Sequence, residues 1–122
     1  MKWRVASVGG FMAKVLVVED EMLIRELACE DLTDAGHQVA SAGSGEEALA
    51  ILQADPSFAV LFTDIHMPGE IDGWELARLA RELVPGIKAI FATGAHDPSP
   101  RGEGEDCLRK PYTRQAMLDL VG

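Results

Sequence analysis

The sequence predicts an α/β fold built on a parallel sheet with helices on both faces, and three observations carry that prediction. Short apolar runs of strand length recur, separated by segments with helical spacing. The runs Val15-Leu16-Val17-Val18 and Ala59-Val60-Leu61-Phe62-Thr63 are continuous rather than alternating, as strands buried on both faces require. The two kinds of segment also alternate along nearly the whole chain, the order that right-handed βαβ crossovers produce.

The first strand, Val15-Leu16-Val17-Val18, ends at Glu19-Asp20-Glu21. Ile24, Leu27, Ala28, Leu32 and Ala35 then fall at helical spacing, and Gly36 supplies a stop. Residues 38 to 42 make a shorter, less apolar second strand. Ser44-Gly45-Glu46-Glu47 fits the S-x-x-E capping box, followed by Ala48, Ile51 and Leu52 on one helical face; Pro56 closes that helix. Residues 59 to 63 form the third strand, ending at Asp64. Leu76, Ala77, Ala80, Leu83 and Val84 make the next helical stripe, terminated by Pro85-Gly86. Residues 87 to 92 form the fourth strand, ending at Thr93, and Cys107-Leu108-Arg109 a short fifth strand, ending at Lys110-Pro111. Thr113 caps a last helix whose inward face is Met117, Leu120 and Val121. Between the fourth and fifth strands the helix is expected to be short or missing. Residues 95 to 106 hold Pro98, Pro100, Gly102 and Gly104 with little apolar content, which cannot sustain an ordinary amphipathic helix.

A chain of 122 residues, 48% hydrophobic and 25% charged, suits one globular core rather than disorder. The net charge of −9 repels nucleic acid and anionic lipid, and no apolar stretch reaches the roughly 18 residues of a membrane span. Cys29 and Cys107 lie in no CxxC or Cys/His spacing and read as free thiols of a cytoplasmic protein. Lys2 and Arg4 precede a mildly apolar stretch broken by Ser7, Gly9 and Gly10. Residues 1 to 13 are therefore read as a loose arm rather than a secretory signal, with Met12 an alternative start, and 14 to 122 as the domain.

Open doubly wound sheets bind ligands outside the carboxyl ends of their strands. The residues placed there are Glu19 and Asp20, then Asp64, Thr93 and Lys110. A cluster of carboxylates repels itself unless a cation joins it, and hard oxygen donors with room for water suit Mg²⁺. A lysine and a hydroxyl beside that cluster fit an arriving phosphoryl group. Each residue also has an ordinary reading. Asp64 can start a turn, Glu19 and Asp20 can favour a helix N-terminus, Thr93 can be a loop residue, and Lys110 a solvated surface lysine. His66 and His96 are expected to be loop residues rather than a metal pair, and Trp74 to pack against its helix.

Lys14-Val15-Leu16-Val17-Val18-Glu19-Asp20-Glu21, Thr63-Asp64-Ile65-His66-Met67-Pro68-Gly69, Ala92-Thr93-Gly94 and Arg109-Lys110-Pro111-Tyr112 together resemble the four motifs of bacterial response-regulator receiver domains. The likeness runs from residue 14 to the end of the chain, with each motif at a predicted strand end. It implies a flavodoxin-like five-stranded sheet of order 2-1-3-4-5. It also implies that Asp64 accepts a phosphoryl group from a histidine kinase or phosphotransfer protein, with no enzymatic activity on other substrates. Asp20, Glu19, Asp64 and the backbone carbonyl of His66 then hold Mg²⁺, Thr93 and Lys110 hold phosphoryl oxygens, and a downstream protein partner reads the result.

The pattern departs from the family in four places. The loop after Met67-Pro68 is one residue longer than the common form, and Cys107 stands where the family usually has an aromatic switch residue. Helix four is short or lost, and Phe91-Ala92-Thr93-Gly94 is similar to a FATG-containing subgroup of some alphaproteobacteria. The chain ends soon after the last helix, as in a stand-alone receiver or a fragment. Two other functions remain open. A non-phosphorylated binding module would usually lack the phosphoacceptor or the lysine, and both are present. A haloacid-dehalogenase-type aspartyl-phosphate phosphatase would carry a second aspartate where His66 stands.

Overall fold

The computed structural model describes residues 12 to 94 and 105 to 122. His96, most of the proline- and glycine-rich segment and most of the N-terminal arm lie outside those residues. Strand β1 (Lys14–Val18) is followed by α1 (Met22–Asp34), β2 (Gln38–Ala42), α2 (Gly45–Ala54), β3 (Val60–Asp64), α3 (Gly73–Leu83), β4 (Lys88–Thr93), β5 (Glu105–Arg109) and α4 (Arg114–Val121). The strands form one parallel sheet of order β2-β1-β3-β4-β5. This is the expected 2-1-3-4-5 arrangement.

The continuous apolar runs follow from burial on both faces. Leu16 and Val18 of β1 face Ala48 and Leu52 of α2 and Leu76 and Ala80 of α3 in one core layer. Val15 and Val17 join the other layer, with Ala28 and Leu32 of α1 and Met117 and Val121 of α4. Successive side chains on a strand point to opposite faces, so a strand between two helical layers must be apolar throughout. Trp74 packs its ring 4.3 Å from that of Phe91, tilted by 43°.

Some boundaries differ from the apolar runs for a backbone reason. Strands β3 and β4 each extend one residue further, to Asp64 and Thr93, because pairing follows the backbone and not side-chain polarity. Strand β5 starts earlier, at Glu105. Its two acidic residues are matched by Arg81 Nη1, 2.9 Å from Glu105, and Lys88 Nζ, 3.5 Å from Asp106. On α1, only Ala28 and Leu32 are fully buried, and Leu27 remains exposed despite its helical spacing. No described helix is long and apolar enough to cross a membrane.

Three helices begin with a side-chain cap. Ser44 Oγ accepts from the Glu47 amide at 3.1 Å, Asp72 Oδ1 from Glu75 at 2.9 Å and Thr113 Oγ1 from Ala116 at 3.0 Å. The box around Ser44 is displaced by one residue, since Glu47 Oε1 accepts from the Gly43 amide at 2.7 Å. Helix α1 begins at Glu21 with no side-chain cap.

The start of α3 is seated directly on the end of β3. The Gly73 amide donates to the Ile65 carbonyl at 2.7 Å. A Cβ at Gly73 would lie 2.3 Å from the Asp64 carbonyl oxygen and 2.7 Å from Ile65 Cα, both rigid backbone atoms. Gly73→Ala is therefore expected to push the helix off the strand and destabilise the fold by about 1–3 kcal/mol, through overpacking. Urea unfolding of the two proteins checks this, and an unchanged midpoint would show that the contact relaxes freely.

Candidate functional site

The register brings the carboxyl ends of β1, β3, β4 and β5 to one edge. Val18 pairs with Thr63, Asp64 with Ala92, and Thr93 with Arg109. Glu19 and Asp20 leave β1, Asp64 ends β3, and Lys110 leaves β5, its amide donating to the Thr93 carbonyl at 2.9 Å. Glu19, Asp20 and Asp64 each bring a carboxylate oxygen to within 4.8 Å of the others. Lys110 Nζ donates to Glu19 Oε1 at 2.7 Å and to Asp64 Oδ2 at 3.3 Å.

Three carboxylates against one ammonium leave two negative charges in excess when all are ionised. The environment makes the excess costly, because the Glu19 side chain is 6% exposed and that of Asp64 12%. Burial pushes the Glu19 carboxyl above its ordinary value, more than the hydrogen bonds from Lys110 and the Glu21 amide pull it down. Burial alone would lower the Lys110 ammonium. The bond to Glu19 and the charges of Asp64 and Glu19 outweigh that and raise it. Asp20 is exposed and leaves the cluster open to solvent. Hard oxygen donors in this arrangement, with a cation already drawn between two of them, are consistent with a Mg²⁺ site.

The other expected residues are placed less directly. Thr93 is buried at the end of β4, one strand from Asp64, and bonded through its backbone to Lys110. His66 lies two residues past Asp64 in the long β3–α3 loop, with its side chain exposed. That loop is tied to the start of α2. The Glu70 amide donates to Glu46 Oε2 at 3.3 Å, and a Cβ at Gly45 would sit 2.7 Å from Ile71 Cγ2. Tyr112 meets Phe62 edge-on with ring centroids 5.7 Å apart, and burial raises its phenol above its ordinary value.

Two contacts at the site were not legible in the sequence. Thr63 Oγ1 donates to the Asp64 carbonyl at 2.8 Å, and Arg25 Nη1 to the Glu19 carbonyl at 2.8 Å. Both bonds run from side chain to backbone, and neither residue type nor spacing distinguishes such a bond from an ordinary strand threonine or a solvated helix arginine.

A family model described as response regulator receiver domain matches residues 15–122. The chain is 42% identical over 115 residues to response regulator receiver protein CpdR of Brucella abortus, covering 90% of this chain and 94% of that one. It is 38% identical over 114 residues to response regulator protein FleR of Pseudomonas aeruginosa, covering 89% of this chain and about a quarter, 24%, of FleR. It also superimposes on the crystal structure of a response regulator receiver protein from Sinorhizobium medicae, with a TM-score of 0.83 and 28% identity over 91% of this chain and 92% of that one.

The charge excess sets the response to metal and pH. Millimolar Mg²⁺ is expected to raise the melting temperature, because a cation bound only by the folded state stabilises it. Asp20→Asn is expected to raise the melting temperature in EDTA by about 2–5 °C, which corresponds to roughly 0.5–1 kcal/mol in a domain of this size, and to blunt the Mg²⁺ effect. An equal Mg²⁺ shift in both proteins would remove Asp20 from the site. The raised Lys110 acts in the alkaline range. The folded chain holds its proton more tightly than the unfolded chain, so this stability is complete below the ordinary lysine range and is lost as pH rises through the native value. As pH rises through and above the ordinary lysine value of about 10.4, urea midpoints should fall more steeply for the wild type than for Lys110→Met.

Proposed function

The chain belongs to the response regulator receiver family, and from that premise we propose that it is a phosphoacceptor signalling module of a two-component phosphorelay. Asp64 takes a phosphoryl group from a histidine kinase or a histidine phosphotransfer protein, and the phosphorylated form acts by contact with a downstream protein. The observation that carries this reading is Lys110 Nζ, 3.3 Å from Asp64 Oδ2 and 2.7 Å from Glu19 Oε1, at an edge where two further carboxylates gather around the acceptor.

In the transfer, an Asp64 oxygen forms a bond to phosphorus while the phosphorus–nitrogen bond of the donor imidazole breaks, its electron pair leaving with the imidazole. The obstacle is repulsion between the carboxylate and the phosphoryl oxygens. Lys110 offsets that charge beside the acceptor, and Thr93 at the neighbouring strand end offers a hydroxyl to the same group. Glu19, Asp20, Asp64 and the His66 carbonyl are the residues that would hold Mg²⁺, which when bound neutralises charge between nucleophile and phosphoryl group. Chemistry is confined to phosphorylation and dephosphorylation of the chain's own Asp64, in the cytoplasm, and no outside substrate is turned over.

Docking of a phosphodonor protein beside the site is supported by the surface of α1. Met22, Leu23 and Leu27 are 56%, 70% and 60% exposed. Of these, Leu27 lines a groove of about 450 Å³ together with Ile24, Lys110, Pro111 and Tyr112. An apolar patch next to a charged site marks a protein-binding face, and the net charge of −9 favours protein over nucleic acid as partner.

Acetyl phosphate tests the reading without a partner. With Mg²⁺, intact mass should show one added phosphoryl group, removable by hydroxylamine, and Asp64→Asn should show none. Absence of the adduct in the wild type would favour a non-phosphorylated binding module, and equal labelling of Asp64→Asn would place the acceptor elsewhere.

A further inference from the structure

We propose that Arg25 is a positioning residue for the loop that carries Glu19 and Asp20, an inference that rests on the reading of the acid cluster as a metal site. The observation behind it is an asymmetry among the helices. Helices α2, α3 and α4 each start with a side-chain cap, whereas α1 starts at Glu21 with none. The uncapped helix is the one whose entry loop holds two of the three clustered carboxylates.

The loop is held in another way. The Glu19 amide continues the β1–β2 ladder by donating to the Ala42 carbonyl at 3.1 Å. The Glu21 amide donates to Glu19 Oε2 at 3.2 Å. The Glu19 carbonyl lies beyond the paired residues of β1, and Arg25 Nη1 donates to it at 2.8 Å from one turn into α1. That bond fixes the plane of the peptide joining Glu19 to Asp20. Rotation of this plane would swing Asp20 relative to Glu19 and Asp64, so the bond sets where the Asp20 carboxylate stands. Room for the guanidinium depends on the neighbouring loop, because a Cβ at Gly43 would lie 3.1 Å from Arg25 Nη1. A residue that holds a ligand's backbone contributes to metal affinity without touching the metal, and loss of such outer contacts commonly weakens binding by at least about tenfold.

The sign of the effect separates positioning from charge. Arg25 is a cation close to the cluster, so by charge alone its removal should tighten binding of a divalent cation. By positioning, removal should loosen it. Mn²⁺ serves as the probe, with the free ion counted by electron paramagnetic resonance on the intact protein and Mg²⁺ used to displace it. Arg25→Gln is expected to raise the Mn²⁺ dissociation constant about tenfold, with a urea midpoint in EDTA showing that the variant is folded. An unchanged or lower dissociation constant would overturn the proposal. If Arg25→Gln does not fold, Gly43→Val makes the same test by displacing the guanidinium, with the same expected and overturning results. If the wild type itself binds no Mn²⁺, the metal-site reading falls and this inference with it; if the wild type binds and Arg25→Gln binds equally, only this inference falls.

Discussion

The edge of the sheet where Glu19, Asp20 and Asp64 meet depends on one ammonium group. Lys110 Nζ sits within hydrogen-bonding distance of both Glu19 and Asp64, and these are the two least exposed acids of the cluster. A buried carboxylate without a partner is strongly disfavoured, and two beside each other more so. Lys110 is 21% exposed and reaches the cluster from β5, the strand at the far side of the sheet from β2. Correct pairing of β4 with β5 is thus a condition for the charge balance at β1 and β3, since the Lys110 amide is itself bonded to Thr93. The ion pair and the sheet register depend on each other.

The same edge is crowded by close backbone approaches. Gly73 lets α3 sit against the Asp64 carbonyl, and Thr63 donates to that carbonyl from within the strand. Arg25 holds the Glu19 carbonyl in a comparable way. The acids stand on backbone whose carbonyls are pinned from the side, which suits a site whose groups must stay placed despite mutual repulsion.

Much of this was legible from residues alone, for physical reasons that differ by element. The two-faced burial of β1 and β3 leaves a continuous apolar run, so strand position and parallel pairing could be read directly. The candidate residues could be named because strand ends are where such sheets bind ligands, and of these candidates the structure brings Glu19, Asp20, Asp64 and Lys110 close together. What failed to show was set by partners distant in sequence. Glu105 and Asp106 read as loop because their acceptance into β5 relies on Arg81 and Lys88. Leu27 falls at the helical spacing of α1 yet stays exposed, because spacing cannot tell how much of that helix the sheet covers. Arg25 gave no signal, since a side chain bonding a backbone carbonyl six residues away leaves no pattern.

The acidic pair on β5 has a consequence of another kind. Strand β5 ends the sheet on one side, and a terminal strand offers unpaired backbone groups to any other extended chain. Glu105 is nearly enclosed and matched to Arg81, while Asp106 is matched to Lys88. A foreign strand laid along this rim would have to settle beside carboxylates whose counter-charges are already engaged, and a second copy of the chain would bring the same two acids with it. The acidic rim therefore disfavours edge-to-edge pairing of sheets.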